Sequence, residues 1–387
     1  MADLIYLDYA ATTPVDSRVL EAMRPYYADK FGNPSSVHRY GQAAEAAVDS
    51  ARETLASVLN CRPDEIVFTS CGSEADNLAL RGAALAMREK TGANWILTSR
   101  AEHHAVSKTA EQLEKYYGFQ VEWLDVDEHG RVTPEAVKKA LCDKTALVSV
   151  MYANNEIGTV NPIREIAALC RENGVLFHSD AVQAAAYLDV DVQTLGVDLL
   201  SLGAHKLYGP KGVGALYVRK GTPLIPHLTG GGQEFGLRAG THNVPYLVGF
   251  AEALRLAKEK RAERGSHLLP LRDHIIGRVL EEITDSKLTG HPAERLPNHA
   301  SFVFKDVDGN LLLTLLDAAG FACSSGSACK TGNPEPSEVI TSLGLSRDWA
   351  LGSLRVTLGK DTQPAEVDAF LQVLPSLVER ARDLNHR

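Results

Sequence analysis

The 387-residue chain is 44% apolar and 23% charged, close to globular averages, and its length exceeds one ordinary core, so two or three domains are expected. A net charge of -9 gives no general attraction to nucleic acid or anionic membranes, and the chain has no apolar run of the roughly 18 residues that would span a bilayer. Six cysteines with no Cys-x-x-Cys pair and no histidine at zinc spacing, behind an N-terminus without a signal-peptide pattern, point to a cytosolic protein with no metal centre.

From about residue 64 to 220, short β-branched runs alternate with helical ones, the pattern of an α/β domain on a largely parallel sheet. Residues 65–70 form a predicted strand and 74–89 the helix after it. Further strands are expected at 95–98 and 146–150, and Thr133-Pro134-Glu135 opens a helix with a hydroxyl cap and proline at its first position. Residues 175–180 and 198–202 give two more strands, and 214–218 is expected to return antiparallel. From Val244 to Ile283 the character is helical, with interruptions expected at Gly265 and Pro270, and the chain leaves the large domain here. A strand at 300–304, a helix at 310–319, a strand at 353–358 and an amphipathic helix at 365–381 suffice for a smaller α+β domain.

Several chemical groups fall at the ends of the predicted strands, where open α/β sheets place ligands. Ser70-Cys71-Gly72-Ser73-Glu74 runs from strand into helix, which is either an anion site of backbone N–H groups or an ordinary serine cap. Asp180 ends an apolar strand and must be solvated or paired, so a cationic ring nitrogen is a candidate partner. Lys206 stands at a strand end before a Gly-Pro turn, where its amine can condense with an aldehyde, whereas Lys211 on the turn faces solvent. His103 and His104 open a helix, as caps or as a ring that stacks on a planar ligand. Pyridoxal 5'-phosphate needs a lysine for its aldehyde, a carboxylate for its pyridinium and an anion site for its phosphate, and each has a candidate. Cys329 stands alone in a Gly-, Ser- and Pro-rich stretch, as a buried small hydrophobe or as a thiol displayed on a mobile loop.

The segments Tyr6-Leu7-Asp8-Tyr9-Ala10-Ala11-Thr12-Thr13-Pro14, Phe31-Gly32-Asn33-Pro34-Ser35-Ser36-Val37-His38, Asn154-Asn155-Glu156-Ile157-Gly158, Ala204-His205-Lys206 and Ser325-Gly326-Ser327-Ala328-Cys329 resemble the cysteine desulfurases of the class V aminotransferase group, in order from residue 6 to about 360. The longer thiol loop is similar to that of the NifS and IscS branch. The resemblance implies the fold type I of pyridoxal phosphate-dependent transferases, α/β with a mostly parallel seven-stranded sheet flanked by helices plus a smaller α+β domain. The implied division is a large domain at 16–262 and a small one from 1–15 and 263–387, carrying the thiol loop at about 323–336.

By the same resemblance Lys206 holds the cofactor and later moves the substrate α-proton, Asp180 pairs with the ring nitrogen, and Gln183 contacts the ring oxygen. His103 stacks on the ring and acts in acid-base transfer, leaving His104 structural. Gly72, Ser73 and His205 serve the phosphate, while Thr241 reaches the phosphate of a neighbouring subunit and so implies a homodimer. Arg355 and Asn155 hold the substrate carboxylate, a task that suits a planar guanidinium. Asn155 also belongs to the cofactor site. Cys329 is the nucleophile that takes sulfur from L-cysteine, leaving alanine and a persulfide for a protein acceptor, such as an iron-sulfur scaffold or a thiolation enzyme. Gly203 departs from the pattern, since many members carry a hydroxyl two places before the histidine of His-Lys, and weaker cofactor retention is the expectation. A selenocysteine lyase or other carbon-sulfur lyase of this fold, and a non-catalytic sulfur-transfer scaffold, are the competing expectations.

Overall fold

The computed structural model describes residues 4–325 and 335–385. Its strands are β1 (Ile5–Tyr6), β2 (Ile66–Thr69), β3 (Trp95–Ser99), β4 (Gln120–Leu124), β5 (Thr145–Ser149), β6 (Leu176–Asp180), β7 (Leu199–Gly203), β8 (Gly214–Val218), β9 (Ser286–Leu288), β10 (His299–Phe304), β11 (Phe321–Ala322) and β12 (Ser353–Thr357). Seven of them form the main sheet in the order β2-β8-β7-β6-β5-β3-β4. The pairs from β7 through β4 are parallel, whereas β8 runs antiparallel to both β7 and β2, as expected from its sequence. Strands β5, β7 and β8 are buried at every position, which is why they appear as continuous apolar runs.

The helices Gly72–Thr91 and His104–Tyr117 follow β2 and β3, so their N-termini open at one end of the sheet. Thr133 caps the helix Pro134–Ala140 by accepting from the Ala136 amide at 3.1 Å. The helix Val244–Glu282 runs unbroken for 39 residues, so the expected interruptions at Gly265 and Pro270 do not occur. Pro270 and Ser266 are both exposed, so the carbonyl deprived of a partner faces water, while Leu268, Leu271 and Ile275 stay buried. Packing of that apolar face outweighs the one missing hydrogen bond.

Strands β12, β10 and β9 make a three-stranded antiparallel sheet, and β1 pairs parallel with β11. The register Ser301↔Arg355 fixes Arg355 in the middle of β12. Thr357 accepts from the Ala10 amide at 2.9 Å, which ties the N-terminal segment to the same sheet. No helix among the described residues is long and apolar enough to cross a membrane.

Candidate active site

A cavity of about 240 Å³ opens where these elements meet, and its wall includes Gly72, Ser73, His103, Asn155, Asp180, Gln183, His205, Lys206 and Arg355. Nine expected residues from distant parts of the chain are thus brought together. Each position has a local cause. Asp180 is the last residue of β6, and Lys206 ends the short 3-10 turn Ala204–Lys206 that follows β7. His103 caps the helix His104–Tyr117, its Nδ1 accepting from the Ala105 amide at 3.1 Å. His104 is exposed and does not line this cavity.

The lysine amine is held by backbone. Its Nζ donates to the Ala10 and Ala11 carbonyls, the latter at 2.7 Å, and Gln183 Nε2 donates to the same Ala10 carbonyl at 2.9 Å. Burial, then the positive charge of Arg355, lower the Lys206 pKa to about 8, against the pull of Asp8 and Asp180. A larger neutral fraction than an ordinary lysine has is therefore present near neutral pH, as condensation with an aldehyde requires. Burial raises the Asp180 carboxyl pKa, opposed by His103, Lys206 and the Val182 amide, which donates to Asp180 Oδ1 at 2.8 Å. Partial desolvation lowers the His103 pKa, Asp180 opposes this, and Lys206 and His104 add to it. Burial brings His205 down to about 4, so its imidazole is neutral at ordinary pH and can accept or donate a hydrogen bond without adding charge.

Arg355 is buried, donating from Nη1 to the Asn155 carbonyl at 2.9 Å and from Nη2 to Asp8 Oδ1 at 2.8 Å. Its Nε, Asn155 Oδ1 and Asp76 Oδ1 are buried polar atoms with no hydrogen-bond partner among the described residues. Leaving such groups unpaired is costly, so their convergence on one cavity marks it as built for a polar ligand. Gly72 is required at the cradle, because a Cβ there would stand 2.6 Å from Val182 Cγ2. At Gly203 a Cβ would stand 3.6 Å from the Gly72 nitrogen and 3.3 Å from Val182 Cγ1, so a hydroxyl at 203 would enter the cradle. The residues present fit pyridoxal phosphate: lysine amine, buried carboxylate, glycine-lined helix start and flanking histidines.

Asp76 is the main site residue that sequence reasoning missed. It lies one helical turn after Gly72, hence on the same helix face, and that i to i+4 spacing was the available signal. Its carboxyl pKa is raised by burial and then by the charge of Asp180. Below it runs a buried chain in which His178 joins Ser149 and Ser201, each at 2.9 Å, with Asp76 Oδ1 3.6 Å from His178 Nε2. Burial lowers His178 to about 3, so the ring is neutral. Donor atoms of Asp76, His103 and Asp180 lie within 4.8 Å of one another, a spacing that suits a cation or a protonated ring nitrogen. Lys206 and Arg355 on the same wall favour an anionic, carbonyl-bearing ligand over a bare cation.

Thr241 is exposed and is not part of the cavity wall. Cys329 lies outside the described residues.

The class-V aminotransferase profile matches residues 5–370. A protein of Dictyoglomus turgidum (strain DSM 6724 / Z-1310) named Cysteine desulfurase IscS is 45% identical over 381 residues, covering 98% of this chain and 96% of its own. One of the same name from Methanosarcina thermophila is 45% identical over 381 residues, covering 98% and 93%. Among solved structures, a NifS-like protein superposes with a TM-score of 0.90 at 37% identity, covering 97% of this chain and 100% of that one. A structure described as SspA in complex with cysteine gives 0.79 at 35% identity, covering 92% and 98%. The sheet order, the lysine after β7 and similarity along nearly the whole length agree, and the chain belongs to the class-V aminotransferase family and, within it, to the cysteine desulfurases.

Proposed function

We propose that the protein uses pyridoxal phosphate to convert L-cysteine to L-alanine and retains the sulfur as a persulfide on Cys329. The observation that carries this is the Lys206 amine, brought down to about 8, in one cavity with the buried Asp180 and the guanidinium of Arg355. When bound, the cofactor supplies an electron-withdrawing ring that stabilises negative charge developing next to the substrate α-carbon. Lys206 would hold the cofactor's aldehyde group and, as a neutral amine, would take the substrate α-proton. Asp180 would pair with the ring nitrogen, His103 would stack on the ring face, Gln183 would contact the ring oxygen, and Gly72, Ser73 and His205 would hold the phosphate, with Asn155 also in the cofactor site.

Arg355 offers the substrate carboxylate its Nε, which has no hydrogen-bond partner among the described residues, with Asn155 beside it. The thiolate of Cys329 then attacks the substrate sulfur. The S–S bond forms as the Cβ–S bond breaks, the electron pair of the broken bond stays with carbon, and protonation of Cβ together with return of a proton to Cα gives alanine. At an ordinary thiol pKa of about 8.5 only a minor fraction of Cys329 is ionised at neutral pH, so proton removal from the thiol is part of the reaction.

A second copy of the chain completes the assembly in this account, with its Thr241 directed to the neighbouring phosphate. Phe31, Val37, Tyr40, Leu228 and Phe235 are large apolar side chains left exposed, Val37 by 90%, and the Phe31 ring lies tilted against Tyr40 with centroids 5.4 Å apart. The division into domains at 16–262 and at 1–15 with 263–387 places the seven-stranded sheet in the first and the β9-β10-β12 sheet in the second. A cytosolic setting, where thiols stay reduced, suits a persulfide handed to a protein acceptor for iron-sulfur assembly or thiolation.

The test is alanine formation from L-cysteine by cofactor-loaded protein with a thiol reductant, beside Cys329→Ser. Turnover is expected in the first and not in the second. Equal turnover in both would remove Cys329 from the reaction, and no turnover in either would leave a non-catalytic scaffold.

A further inference from the structure

A fully buried polar row runs across three neighbouring strands beneath the cavity. Ser149 on β5, His178 on β6 and Ser201 on β7 have no exposed surface, and the imidazole joins the two hydroxyls at 2.9 Å each. The backbone explains the alignment. Ser149 is the register partner of His178, and Ser201 is that of Asp180. His178 and Asp180 are two residues apart and therefore share one face of β6. On the helix Gly72–Thr91, Asp76 lies on the same face as Gly72, with its Oδ1 3.6 Å from His178 Nε2.

The row leads to two carboxyls. Asp76 is 1% exposed and Asp180 5%, and their oxygens lie within 4.8 Å of each other. Two carboxyl groups so close and so desolvated do not both ionise, so one negative charge is shared by the pair. Their surroundings differ. Asp180 Oδ1 accepts from the Val182 amide at 2.8 Å, and His103 and Lys206 also favour its ionised form. Asp76 Oδ1 has no hydrogen-bond partner among the described residues. The groups facing Asp76 are the neutral His178 and Asp180 from β6, Glu102 and His103 from the segment after β3, Cys71 from the start of its own helix, and the Ser201 hydroxyl, which favours ionisation against the effects of burial, Asp180, Glu102 and Cys71. Lys206 and Arg355 complete the charged groups of the cavity wall. The charge is therefore better placed on Asp180 than on Asp76.

We propose that Asp76 is a positioning residue for Asp180: it is the neutral member of the pair, anchored through Ser201 and His178, and by keeping the pair's proton it leaves Asp180 charged for the cofactor's ring nitrogen. The inference rests on the reading of this cavity as a pyridoxal phosphate site. Asp76 acts through Asp180 rather than on the ring.

The test uses the cofactor-loaded protein carrying isotope-labelled aspartate, so that glutamate bands drop out of infrared difference spectra. Asp76→Asn is expected to lose one protonated-carboxyl stretching band, and Asp180→Asn an ionised-carboxylate band. Ser201→Ala, which removes only a hydroxyl, is expected to shift the Asp76 band. Loss of an ionised band in Asp76→Asn would overturn the inference, as would an Asp76 band unmoved by Ser201→Ala. Cofactor retention is the second readout. Asp76→Ala is expected to raise the Kd for pyridoxal phosphate by about tenfold or more and to displace the absorption band of the bound cofactor, whereas Asp76→Asn, which keeps a donor and an acceptor without charge, is expected to restore both. An unchanged Kd and band in Asp76→Ala would overturn the inference, and so would an equal loss in both variants, because charge on Asp76 would then be required. Failure of the unmodified protein to bind pyridoxal phosphate would overturn it together with the cofactor reading beneath it, which separates that failure from the others.

Discussion

Lys206 owes its chemistry to several influences acting at once: burial and Arg355 favour the neutral amine, Ala10 and Ala11 accept its hydrogens, and Asp8 and Asp180 limit how far its pKa falls. Lys206→Ala removes the group that binds the aldehyde, so the purified variant is expected to lack the yellow absorption band of bound cofactor. A band of unchanged position and intensity would contradict the assignment. Arg355→Ala deletes charged hydrogen bonds to the substrate carboxylate, each worth about 1.5–3 kcal/mol, so KM for cysteine should rise by about 10–100-fold with a smaller change in kcat. An unchanged KM would place carboxylate recognition elsewhere. Gly203→Ser adds a hydroxyl where a Cβ has 3.6 Å to the Gly72 nitrogen, and tighter cofactor retention is expected in a dilution or dialysis titration. A dissociation constant no lower than that of the unmodified protein would show that the cradle is already satisfied.

At the scale of elements, β12 does more than close a small sheet, since its pairing with β10 sets the height at which Arg355 enters the cavity. Gly352 makes the turn before β12, and a Cβ there would stand 2.0 Å from the Phe304 carbonyl oxygen. Gly352→Ala must push the two strands apart, with an expected loss of about 1–3 kcal/mol of stability and a raised KM for cysteine, checked by denaturant unfolding and steady-state kinetics. Wild-type values for both would show that the turn relaxes without moving Arg355.

The central strands were legible in the sequence because burial on both faces leaves uninterrupted apolar runs, as at 145–149 and 199–203. Strand β4 was not, because its edge position alternates exposed and partly buried residues and includes Gln120 and Glu122. Pro270 misled for a different reason: local propensity marks a break, and only tertiary packing of Leu268, Leu271 and Ile275 keeps the helix whole. Within the site, Lys206 and Asp180 stood out because charge at the end of an apolar strand demands an explanation. Asp76 and His178 did not, because their meaning comes from side chains on other elements that the sequence separates by dozens of residues.

For the whole molecule, one buried carboxyl ties stability to pH. Burial raises the Glu156 pKa to about 7, opposed by the Ser337 hydrogen bond and Arg355 and reinforced by Glu338. A carboxyl raised from its ordinary 4.5 gives stability that is fully present below that value and is lost as pH rises toward about 7. Glu156→Gln does not titrate, so its stability relative to the unmodified protein should improve by about 1–3 kcal/mol between pH 5 and pH 8, at fixed protein and cofactor concentration. A difference independent of pH would contradict this ionisation. The same molecule-wide organisation joins the sheet-end residues, the β12 arginine and the two described ends of the Cys329 segment around two adjoining cavities that share His103, Asn155 and Arg355. That arrangement is what a reaction at the substrate sulfur requires.

The most direct test is a single turnover of cofactor-loaded protein with L-cysteine and no reductant, followed by mass spectrometry of every cysteine peptide and measurement of free alanine. The account predicts one added sulfur on the Cys329 peptide in step with alanine release. Alanine released while Cys329 stays unmodified, or sulfur appearing first on Cys71 in the cavity wall, would contradict it.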